Sequence, residues 1–448
     1  MNRKGYHLLG IGGIGMSALA HLLLDRGYPV SGLDRHESAA TQDLRARGAA
    51  VVIGNDAPLG SGKTLVYSTA IAPSHPSRQA AKKEGHPLLH RSELLAQLFG
   101  SQMPLLVAGS HGKTSTTALL AHTLLVGGRA PSFVLGGNSP SLPRHGQHGT
   151  GDLFIAEADE SDGSFLCYRP FGAIVTNIDN DHFDYWKTEK KLRAGFQTFI
   201  RHIDGPEWCF WCIDDPHLKR LRPPGVSYGI SSHAQLQLRA VEQCDRELTF
   251  TVVAPQRPAT SFVLPLRGKH QALNALPVIG LARKLHISDQ VIQQAFSSFR
   301  GVARRLEKKG EAAGVLVYDD YAHHPTAVGK VVATLKELHP SRRLIVVWEP
   351  HRFSRVQQLG SAFIAALKQA DIVLITDVYS AGETPCLLAT GESLQSAFCQ
   401  AGQKERVYVP TQELMPHLVA RVRRSDCVVT LGAGGITRIS DHLLAKLR

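Results

Sequence analysis

The chain has 448 residues, 43% of them hydrophobic, which is enough for about three domains with separate buried cores. Its 50 lysines and arginines outnumber its 38 aspartates and glutamates, and the resulting net charge of +12 favours anionic ligands. The basic residues are dispersed and no apolar stretch reaches the roughly 18 residues of a membrane span, which argues against a nucleic-acid partner and against a transmembrane protein.

The first segment opens as a strand, a glycine-rich turn and a helix. Gly10, Gly12 and Gly15 form a G-x-G-x-x-G pattern, and a second strand beginning at Val30 ends at Asp34, about twenty residues further on. This pattern predicts a Rossmann-like unit whose helix N-terminus holds a pyrophosphate. The turn suits any pyrophosphate, so by itself it does not select a dinucleotide.

Two stretches end in Gly-Lys-Thr, and only one has the surroundings of a phosphate loop. Residues 60–64 run into the strand-like residues 65–68 and open no helix, so we reject them as a phosphate site. Residues 109–114 stand between an apolar strand, residues 105–108, and a helical run. That order of strand, loop and helix predicts an ATP-binding loop.

The chemistry of residues 109–114 agrees with this prediction. Loop amides would bind phosphate oxygens, Lys113 adds a positive charge, and Thr114 can present its hydroxyl to Mg²⁺. An ordinary P-loop would carry glycine at position 107, where this chain has Val107. The loop is therefore a shortened form.

Two acidic clusters follow apolar strands in the same segment. Residues 157–162, which begin with Glu157, follow one strand, and residues 179–184, which include His182, follow another. Because the carboxyl ends of parallel strands meet at one edge of a sheet, we expect both clusters beside the phosphate loop. Oxygen ligands there would hold Mg²⁺, and His182 would join them or orient a water. The alternative is a pair of solvated acidic turns.

The cysteines predict neither a disulfide framework nor a metal site. Seven are scattered along the chain, and the single C-x-x-C, at Cys209 and Cys212, lies in an apolar run without a second ligand pair. We expect a buried strand there.

The N-terminus has no signal-peptide pattern, which predicts a cytoplasmic location.

The third segment again alternates strands and helices, which predicts a second doubly wound sheet. Its predicted strands are residues 315–318, 344–348, 372–376, 407–409 and 427–431. Residues 299–305 are expected to join it to the second segment. Polar residues follow the first two strands, and arginines among them suit planar carboxylates or phosphates. The glycine turn at residues 432–435 is expected to close the sheet, although approach to a ligand is the alternative.

Seven strings, which together span nearly the whole chain in order, resemble the Mur ligase family. They are Gly-Ile-Gly-Gly-Ile-Gly-Met-Ser-Ala (10–18), Gly-Ser-His-Gly-Lys-Thr (109–114), Glu-Ala-Asp-Glu-Ser-Asp (157–162), Thr-Asn-Ile through Asp-His (176–182), Asp-Asp-Tyr through His-His-Pro (319–325), Pro-His-Arg (350–352) and Asp-Val-Tyr through Ala-Gly-Glu (377–383). The shortened phosphate loop is itself typical of that family. Within it, the chain is similar to the branch that adds L-alanine to UDP-N-acetylmuramate.

The resemblance implies an α/β fold of three domains. Residues 1–98 would form a Rossmann-like domain that binds the UDP-sugar, residues 99–301 a central P-loop-type ATPase domain, and residues 302–448 a Rossmann-like domain that binds the amino acid.

The implied activity is ATP-dependent ligation of L-alanine to the carboxylate of UDP-N-acetylmuramate, through an acyl phosphate, in peptidoglycan precursor synthesis. The implied ligands are the two substrates, ATP, and one or two Mg²⁺ or Mn²⁺ ions, and the implied state is a monomer or weak homodimer. One alternative is a recycling ligase that joins a murein peptide to the same sugar nucleotide. A nicotinamide-dependent Rossmann dehydrogenase is a second, and it would leave Lys113, Glu157 and His182 unused.

The resemblance also implies roles for individual residues. The UDP-sugar site would comprise Gly12, Gly13, Ile14, Gly15, Asp34 and Ser68. The ATP site would comprise Gly109, Ser110, His111, Gly112, Lys113, Thr114, Ser115, Gln271, Asn274, Arg304 and Asp319. The metal ligands would be Thr114, Glu157 and His182, and the amino-acid ligands His351, Arg352 and Arg355. The catalytic group would comprise Lys113, Glu157, His182, His323 and His324.

Some positions depart from the family pattern, and some choices stay open. Gln271 stands where the family usually has asparagine, Leu306 where it has phenylalanine, and Ala322 where it has glycine. None of these changes removes a charged group that the chemistry needs. The residues do not decide which histidine removes the proton from the amine, or how alanine, glycine and serine are distinguished.

Overall fold

The computed structural model describes residues 4–56, 59–244, 246–386, 388–403 and 405–448. These residues form two compact units. The first contains the described residues up to Val241, with Thr249–Pro265 and His270–Gly301, and the second contains Glu242–Leu248, Leu266–Lys269 and Val302–Arg448. Among the described residues, no helix combines the length and the apolar character needed to cross a bilayer.

A five-stranded parallel sheet begins the first unit. Its strands are β1 (Gly5–Leu9), β2 (Val30–Asp34), β3 (Ala50–Ile53), β4 (Lys63–Tyr67) and β5 (Leu88–His90). Its helices are α1 (Ile14–Asp25), α2 (Ala39–Ala46), α3 (Pro76–Lys83) and α4 (Arg91–Phe99). The strand order is β3-β2-β1-β4-β5, so the order reverses between β1 and β4, where α/β sheets bind ligands. The Rossmann-like prediction is confirmed, and the rejected Gly-Lys-Thr stretch does enter β4 and not a helix.

A ten-stranded sheet forms the remainder of the first unit's framework, in the order β15-β14-β13-β12-β11-β10-β6-β9-β7-β8. Its strands are β6 (Met103–Ala108), β7 (Ser132–Val134), β8 (Gly146–Gln147), β9 (Leu153–Glu157), β10 (Gly172–Val175), β11 (Cys209–Cys212), β12 (Val226–Gly229), β13 (Leu236–Gln243), β14 (Leu248–Val253) and β15 (Thr260–Leu264). Its helices are α5 (Lys113–Val126), α6 (Phe183–Trp186), α7 (Glu189–Arg201), α8 (Pro216–Leu221), α9 (His270–Lys284) and α10 (Asp289–Ser298). The three strands whose ends carry the predicted site, β10, β6 and β9, are parallel neighbours.

The second unit holds a six-stranded sheet in the order β16-β17-β21-β18-β19-β20. Its strands are β16 (Glu307–Ala312), β17 (Val315–Asp320), β18 (Leu344–Trp348), β19 (Ile372–Ile375), β20 (Arg406–Tyr408) and β21 (Cys427–Leu431). Its helices are α11 (Pro325–Leu338), α12 (Phe353–Ala366), α13 (Gly391–Gln400), α14 (Leu414–Arg421) and α15 (Thr437–Leu447). The strands from β17 to β20 are parallel, which confirms the predicted second doubly wound sheet.

Two details of this sheet differ from expectation. The antiparallel edge strand β16 was not predicted, because its sequence Glu-Lys-Lys-Gly-Glu-Ala has neither an apolar run nor an alternating pattern. Asp319 and Asp320 were expected after a strand and instead belong to β17, where Asp319 pairs with both β16 and β21 and Asp320 pairs with β21. Both aspartates are therefore buried.

Helix α1 packs directly on the edge of the ten-stranded sheet. Ser17 Oγ lies 2.8 Å from His145 Nε2, and a Cβ added to Gly146 on β8 would lie only 2.1 Å from the Ala18 carbonyl oxygen. The helix that follows the first glycine turn thus contacts the sheet that carries the second one. The two sheets are joined through this close backbone approach.

We therefore expect Gly146→Ala to separate α1 from β8 and to destabilise the protein by about 1–3 kcal/mol, as overpacking does. Gly360 in α12 is the control, because a Cβ there meets no atom within 4 Å. Gly360→Ala should stabilise by about 0.4–1 kcal/mol. Thermal unfolding of both variants measures the contrast, and an unchanged midpoint for Gly146→Ala would contradict the packing.

Candidate active site

The phosphate loop joins β6 to α5, and two of its positions require glycine. Gly109 has a φ of 130°, and an added Cβ would lie 2.1 Å from Thr176 Oγ1. Gly112 caps α5 with a φ of 88°, and an added Cβ would lie 2.9 Å from Asn274 Oδ1. L side chains rarely adopt either conformation. The loop thus lies against the end of β10 on one side and against α9 on the other.

Val107, which stands where an ordinary P-loop has glycine, is a strand residue. It is fully buried, and it pairs with Ile174 of β10 and Glu157 of β9. The turn begins only after Ala108, because β6 continues through that residue. The phosphate loop is shorter than an ordinary P-loop because β6 extends through position 107 to Ala108.

Hydrogen bonds from the residues that follow β10 hold the loop in place. The Asn177 side chain accepts from the His111 amide at 2.9 Å and donates to the His111 carbonyl oxygen at 2.9 Å. Thr176 Oγ1 donates to the same carbonyl at 2.7 Å. His111 Nε2 lies 2.8 Å from Asp179 Oδ2. Ser110 is anchored as well, because the Asp179 amide donates to its hydroxyl at 2.9 Å.

Lys113 forms an ion pair with a buried glutamate. Its Nζ donates to Glu160 Oε2 at 2.6 Å and to the Gly109 carbonyl oxygen at 2.7 Å, while the Glu160 side chain is fully buried. Burial alone would lower the pKa of Lys113, but the carboxylates of Glu160 and Asp159 outweigh it and raise this pKa. Lys113 is therefore held charged, as phosphate binding requires. Glu160 was not among the predicted site residues.

The predicted metal ligands lie beside this ion pair. Thr114 Oγ1 donates to Glu157 Oε2 at 3.0 Å, and Glu157 Oε1 accepts from the Gly136 amide at 2.5 Å. His182 Nε2 lies 3.6 Å from Glu160 Oε1, a buried oxygen that accepts no hydrogen bond from any described residue. A buried carboxylate oxygen without a donor is unfavourable unless a cation contacts it. The carboxylate and hydroxyl oxygens here fit a hard divalent cation such as Mg²⁺, and the His182 imidazole lies beside them.

An arginine on helix α4, which belongs to the five-stranded sheet, contacts the acidic residues that follow β9. Arg91 at the start of α4 donates to Asp159 Oδ2 at 2.7 Å, and one of its guanidinium nitrogens lies 3.5 Å from a Cβ placed on Gly15. Burial would raise the pKa of Asp159, but Arg91 and Lys113 together lower it well below its usual range. Arg91 therefore connects the first glycine turn to the loop behind Lys113. It too was not predicted.

The predicted UDP-sugar residues share one edge of the first sheet. Gly12 donates its amide to Asp34 Oδ2 at 2.8 Å, so Asp34 holds the turn in place. Gly13 is the N-cap of α1, which has no side-chain cap, so the first amides of the helix remain available to an anion. Ile14 and Gly15 begin that helix, and Ser68 follows β4, which neighbours β1.

The remaining predicted ATP residues divide between the two units. In the first, Ser115 lies in the first turn of α5, Asn274 contacts Gly112, and Gln271 is buried on α9. In the second, Asp319 accepts from Thr430 Oγ1 at 2.5 Å and from Thr437 Oγ1 at 2.6 Å. Arg304 Nε lies 3.4 Å from Asp319 Oδ2.

The predicted amino-acid residues gather at the carboxyl edge of the sheet in the second unit. The rings of His323 and His351 lie 5.0 Å apart, and His351 stacks on Tyr379 at 5.7 Å. Arg355 NH1 lies 2.6 Å from His351 Nδ1, and Arg352 NH1 lies 3.9 Å from Glu383 Oε1.

His324 is the N-cap of α11 and is 4% exposed. Tyr379 and Glu383 belong to the string at residues 377–383, and no role had been predicted for either.

The C-x-x-C motif lies in a buried strand, as predicted, and the glycine turn at residues 432–435 contacts a neighbouring strand end. Cys209 and Cys212 are free thiols in the buried strand β11, and burial raises the pKa of each to about 12. The turn at residues 432–435 closes on a neighbouring strand end, because the Gly434 amide donates to Glu349 Oε1 at 2.7 Å.

Comparisons with known proteins agree with this arrangement. Three family models match consecutive parts of the chain: the Mur ligase family catalytic domain over residues 5–102, the Mur ligase middle domain over 107–282, and the Mur ligase glutamate ligase domain over 304–434. The UDP-N-acetylmuramate–L-alanine ligase of Protochlamydia amoebophila is 42% identical over 450 residues, covering 99% of this chain and 98% of that protein.

Solved structures show the same architecture. The UDP-N-acetylmuramate–alanine ligase of Thermotoga maritima matches with a TM-score of 0.84 and 27% identity, over 99% of this chain and 98% of that one. A murein peptide ligase of Psychrobacter arcticus shares the fold, with a TM-score of 0.74 and 23% identity over 99% and 98% of the two chains. The expected three-domain α/β architecture is confirmed.

Because Lys113 and Glu160 form an ion pair, we expect the effects of substituting both residues on thermal stability to be non-additive. Lys113→Met should abolish ADP binding and also leave a buried charge unpaired, which costs about 3–5 kcal/mol. Adding Glu160→Gln should restore most of the thermal stability but not the binding. Calorimetric titration and thermal unfolding separate the two effects, and a double variant no more stable than Lys113→Met would contradict the pairing.

Proposed function

This chain belongs to the Mur ligase family, and we propose that it joins L-alanine to the carboxylate of UDP-N-acetylmuramate at the expense of ATP, as an amide-forming ligase of peptidoglycan precursor synthesis. The observation that carries the proposal is the match to a UDP-N-acetylmuramate–L-alanine ligase at 42% identity over nearly the full length of both chains. The geometry of the Lys113 loop supports ATP as the phosphate donor.

The reaction proceeds in two steps. The carboxylate of UDP-N-acetylmuramate attacks the γ-phosphorus of ATP and gives an acyl phosphate and ADP; the amine of alanine then attacks the acyl carbon and phosphate leaves. In the first step, the loop amides orient the phosphates, and Lys113 stabilises negative charge that develops during transfer. The ion pair with Glu160 keeps the lysine charged and directed at the loop.

Thr114, Glu157 and His182 are the residues that would hold Mg²⁺, with the Glu160 oxygen beside His182 as a further contact. When bound, Mg²⁺ supplies positive charge that screens the phosphates from the attacking carboxylate. Its fit rests on the buried Glu160 Oε1, which accepts no hydrogen bond from any described residue. One or two ions, with Mn²⁺ as a substitute, stay a prediction.

The sugar nucleotide would bind at the first glycine turn. The uncapped amides at the start of α1 suit its pyrophosphate, and Asp34 holds the turn through the Gly12 amide. Arg91 supplies positive charge next to Gly15. Family membership argues against a nicotinamide dehydrogenase, which would leave Lys113 and its acidic partners without a task.

A recycling ligase for murein peptides is the second candidate of the same fold. The murein peptide ligase from P. arcticus is the less similar of the two solved structures, at 23% identity against 27% for the alanine ligase. The curated relatives at 38–42% identity over nearly the whole chain are named as alanine ligases, so L-alanine is the amino acid that we propose as substrate. The cytoplasmic location and the monomeric or weakly dimeric state stay predictions.

Purified protein supplied with ATP, Mg²⁺ and UDP-N-acetylmuramate should release phosphate only when L-alanine is added. Phosphate release is the direct readout, because each amide bond formed discharges one acyl phosphate. Lys113→Ala serves as the negative control, since it removes the charge at the loop. Release with L-Ala-γ-D-Glu-peptide in place of L-alanine would assign the chain to the recycling ligases.

The proposed metal ligands predict a changed metal requirement. Glu157→Gln replaces a charged ligand by a neutral one of the same shape, so half-maximal activity should need about tenfold more Mg²⁺. Mn²⁺ binding, measured by electron paramagnetic resonance, should weaken to a similar extent. This measurement does not depend on enzyme activity. Asp152→Asn, at the other end of β9, is the control. Equal Mg²⁺ dependence in Glu157→Gln and wild type would exclude Glu157 as a ligand.

A further inference from the structure

A buried tryptophan contacts two residues of the acidic clusters beside the ATP loop. Trp186 is the last residue of α6 and is 7% exposed, and its Nε1 donates to the Glu160 carbonyl oxygen at 2.9 Å. Its main-chain amide donates to the His182 carbonyl oxygen, also at 2.9 Å. Trp186 is therefore bonded to both residues, although one follows β9 and the other follows β10.

The side chains of Glu160 and His182 also approach each other. Glu160 Oε1 lies 3.6 Å from His182 Nε2, while Glu160 Oε2 accepts from Lys113. Asp181 Oδ2 is also 3.6 Å from the same imidazole nitrogen. Neighbouring ligands of an octahedral cation lie about 3 Å apart, because each metal–oxygen bond is about 2.1 Å long. One cation can therefore contact both Glu160 and His182 after a small adjustment.

The main chain at His182 needs support from its surroundings. His182 has a φ of 58° and a ψ of 36°, in the left-handed region, and Lys187 at the other end of α6 has a φ of 63°. Residues other than glycine seldom adopt this region, and a helix of four residues is not stable by itself. The only buried residue of α6 is Trp186, so the position of His182 depends on how this side chain packs.

The indole ring has little freedom to move. A Cβ added to Gly195 of α7 would lie 2.3 Å from Trp186 Cη2, so only glycine leaves room for the ring. The Phe165 and Tyr185 rings pack edge-to-face against it, with centroid distances of 6.0 Å and 4.9 Å. A ring packed in this way cannot rotate unless its neighbours move. The direction of the indole N–H toward Glu160 is therefore fixed.

We infer that Trp186 is a positioning residue for the divalent cation: its indole holds the main chain of Glu160 at a set distance from His182, so that both side chains can contact one ion. In this role Trp186 acts through Glu160 and His182 and does not contact the ion. The inference rests on the proposed function in one respect, namely that a divalent cation accompanies ATP beside Lys113.

The variant Trp186→Phe tests the hydrogen bond, because it keeps an aromatic ring but loses the N–H donor. Trp211→Phe is the matched control. Trp211 lies in β11 of the same sheet and is 8% exposed, and its Nε1 has no hydrogen-bond partner among the described residues. Both variants lose the same atoms, so both should lower the midpoint of thermal unfolding, but only Trp186→Phe removes a bond to Glu160.

Mn²⁺ alone is the probe for the first measurement. Trp186→Phe should bind Mn²⁺ about tenfold more weakly than wild type, the lower end of the range for losing a group that orients a metal ligand. Trp211→Phe should stay within twofold of wild type. Affinity for ADP without metal should stay within twofold in both variants, because Lys113 and the loop amides are unchanged. General loss of structure would weaken both ligands together.

Pulsed electron paramagnetic resonance of the bound Mn²⁺ reports the imidazole directly. Wild type should show the ¹⁴N coupling of a coordinated imidazole, His182→Ala should lose it, and Trp186→Phe should show it reduced for each bound ion. Replacement of Trp186 by benzothienylalanine, which has the shape of tryptophan with sulfur in place of the N–H, should give the same result. This second variant keeps the packing and serves if Trp186→Phe does not fold.

Full ¹⁴N coupling and unchanged Mn²⁺ affinity in the Trp186 variants would overturn the inference, and so would an equal loss in Trp211→Phe. Wild type without ¹⁴N coupling would overturn it as well, and would remove His182 from the predicted metal ligands. Failure of the proposed function looks different, because the wild-type protein would then bind Mn²⁺ with the expected coupling yet release no phosphate when L-alanine is added.

Discussion

The buried ion pair between Lys113 and Glu160 is the contact on which the arrangement of the first unit depends. A fully buried carboxylate is stable only when it is paired, and the Lys113 ammonium keeps a fixed direction because Glu160 holds it. Each group satisfies the other, and the second Glu160 oxygen is left for His182 or a cation. The loop, the acidic strand end and the predicted metal ligands thus belong to one network of charged groups.

This network of charges extends to the first glycine turn through Arg91. Its partner Asp159 lies next to Glu160, so the charge beside Gly15 and the charge in the ATP loop are balanced by adjacent carboxylates. The packing of α1 on β8 joins the elements that carry the two glycine turns. Because the acyl-phosphate step brings two anionic substrates together, a shared network of counter-charges is what that step needs.

The sequence predicted strand ends more reliably than side-chain partners. Both glycine turns follow apolar strands and precede helices, and such local patterns are readable without tertiary contacts. The polar edge strand β16 lacks that pattern, since only pairing with β17 makes it a strand. Nothing local distinguishes Glu160 from its acidic neighbours, because its partner is 47 residues away. Arg91 was missed for the same reason, with its partner 68 residues away.

The predicted site residues of the two units differ in their side-chain chemistry. Phosphate groups in the first unit would be held largely by backbone amides and a permanently charged lysine, whose donor character does not change with pH near neutrality. The second unit instead gathers imidazole rings at the carboxyl edge of its sheet. Proton transfer requires a group that can change its protonation state, whereas anion binding is best served by groups that cannot. Under the proposed function, the first unit would therefore supply fixed charge for phosphate transfer, and the second would supply titratable groups for amide formation.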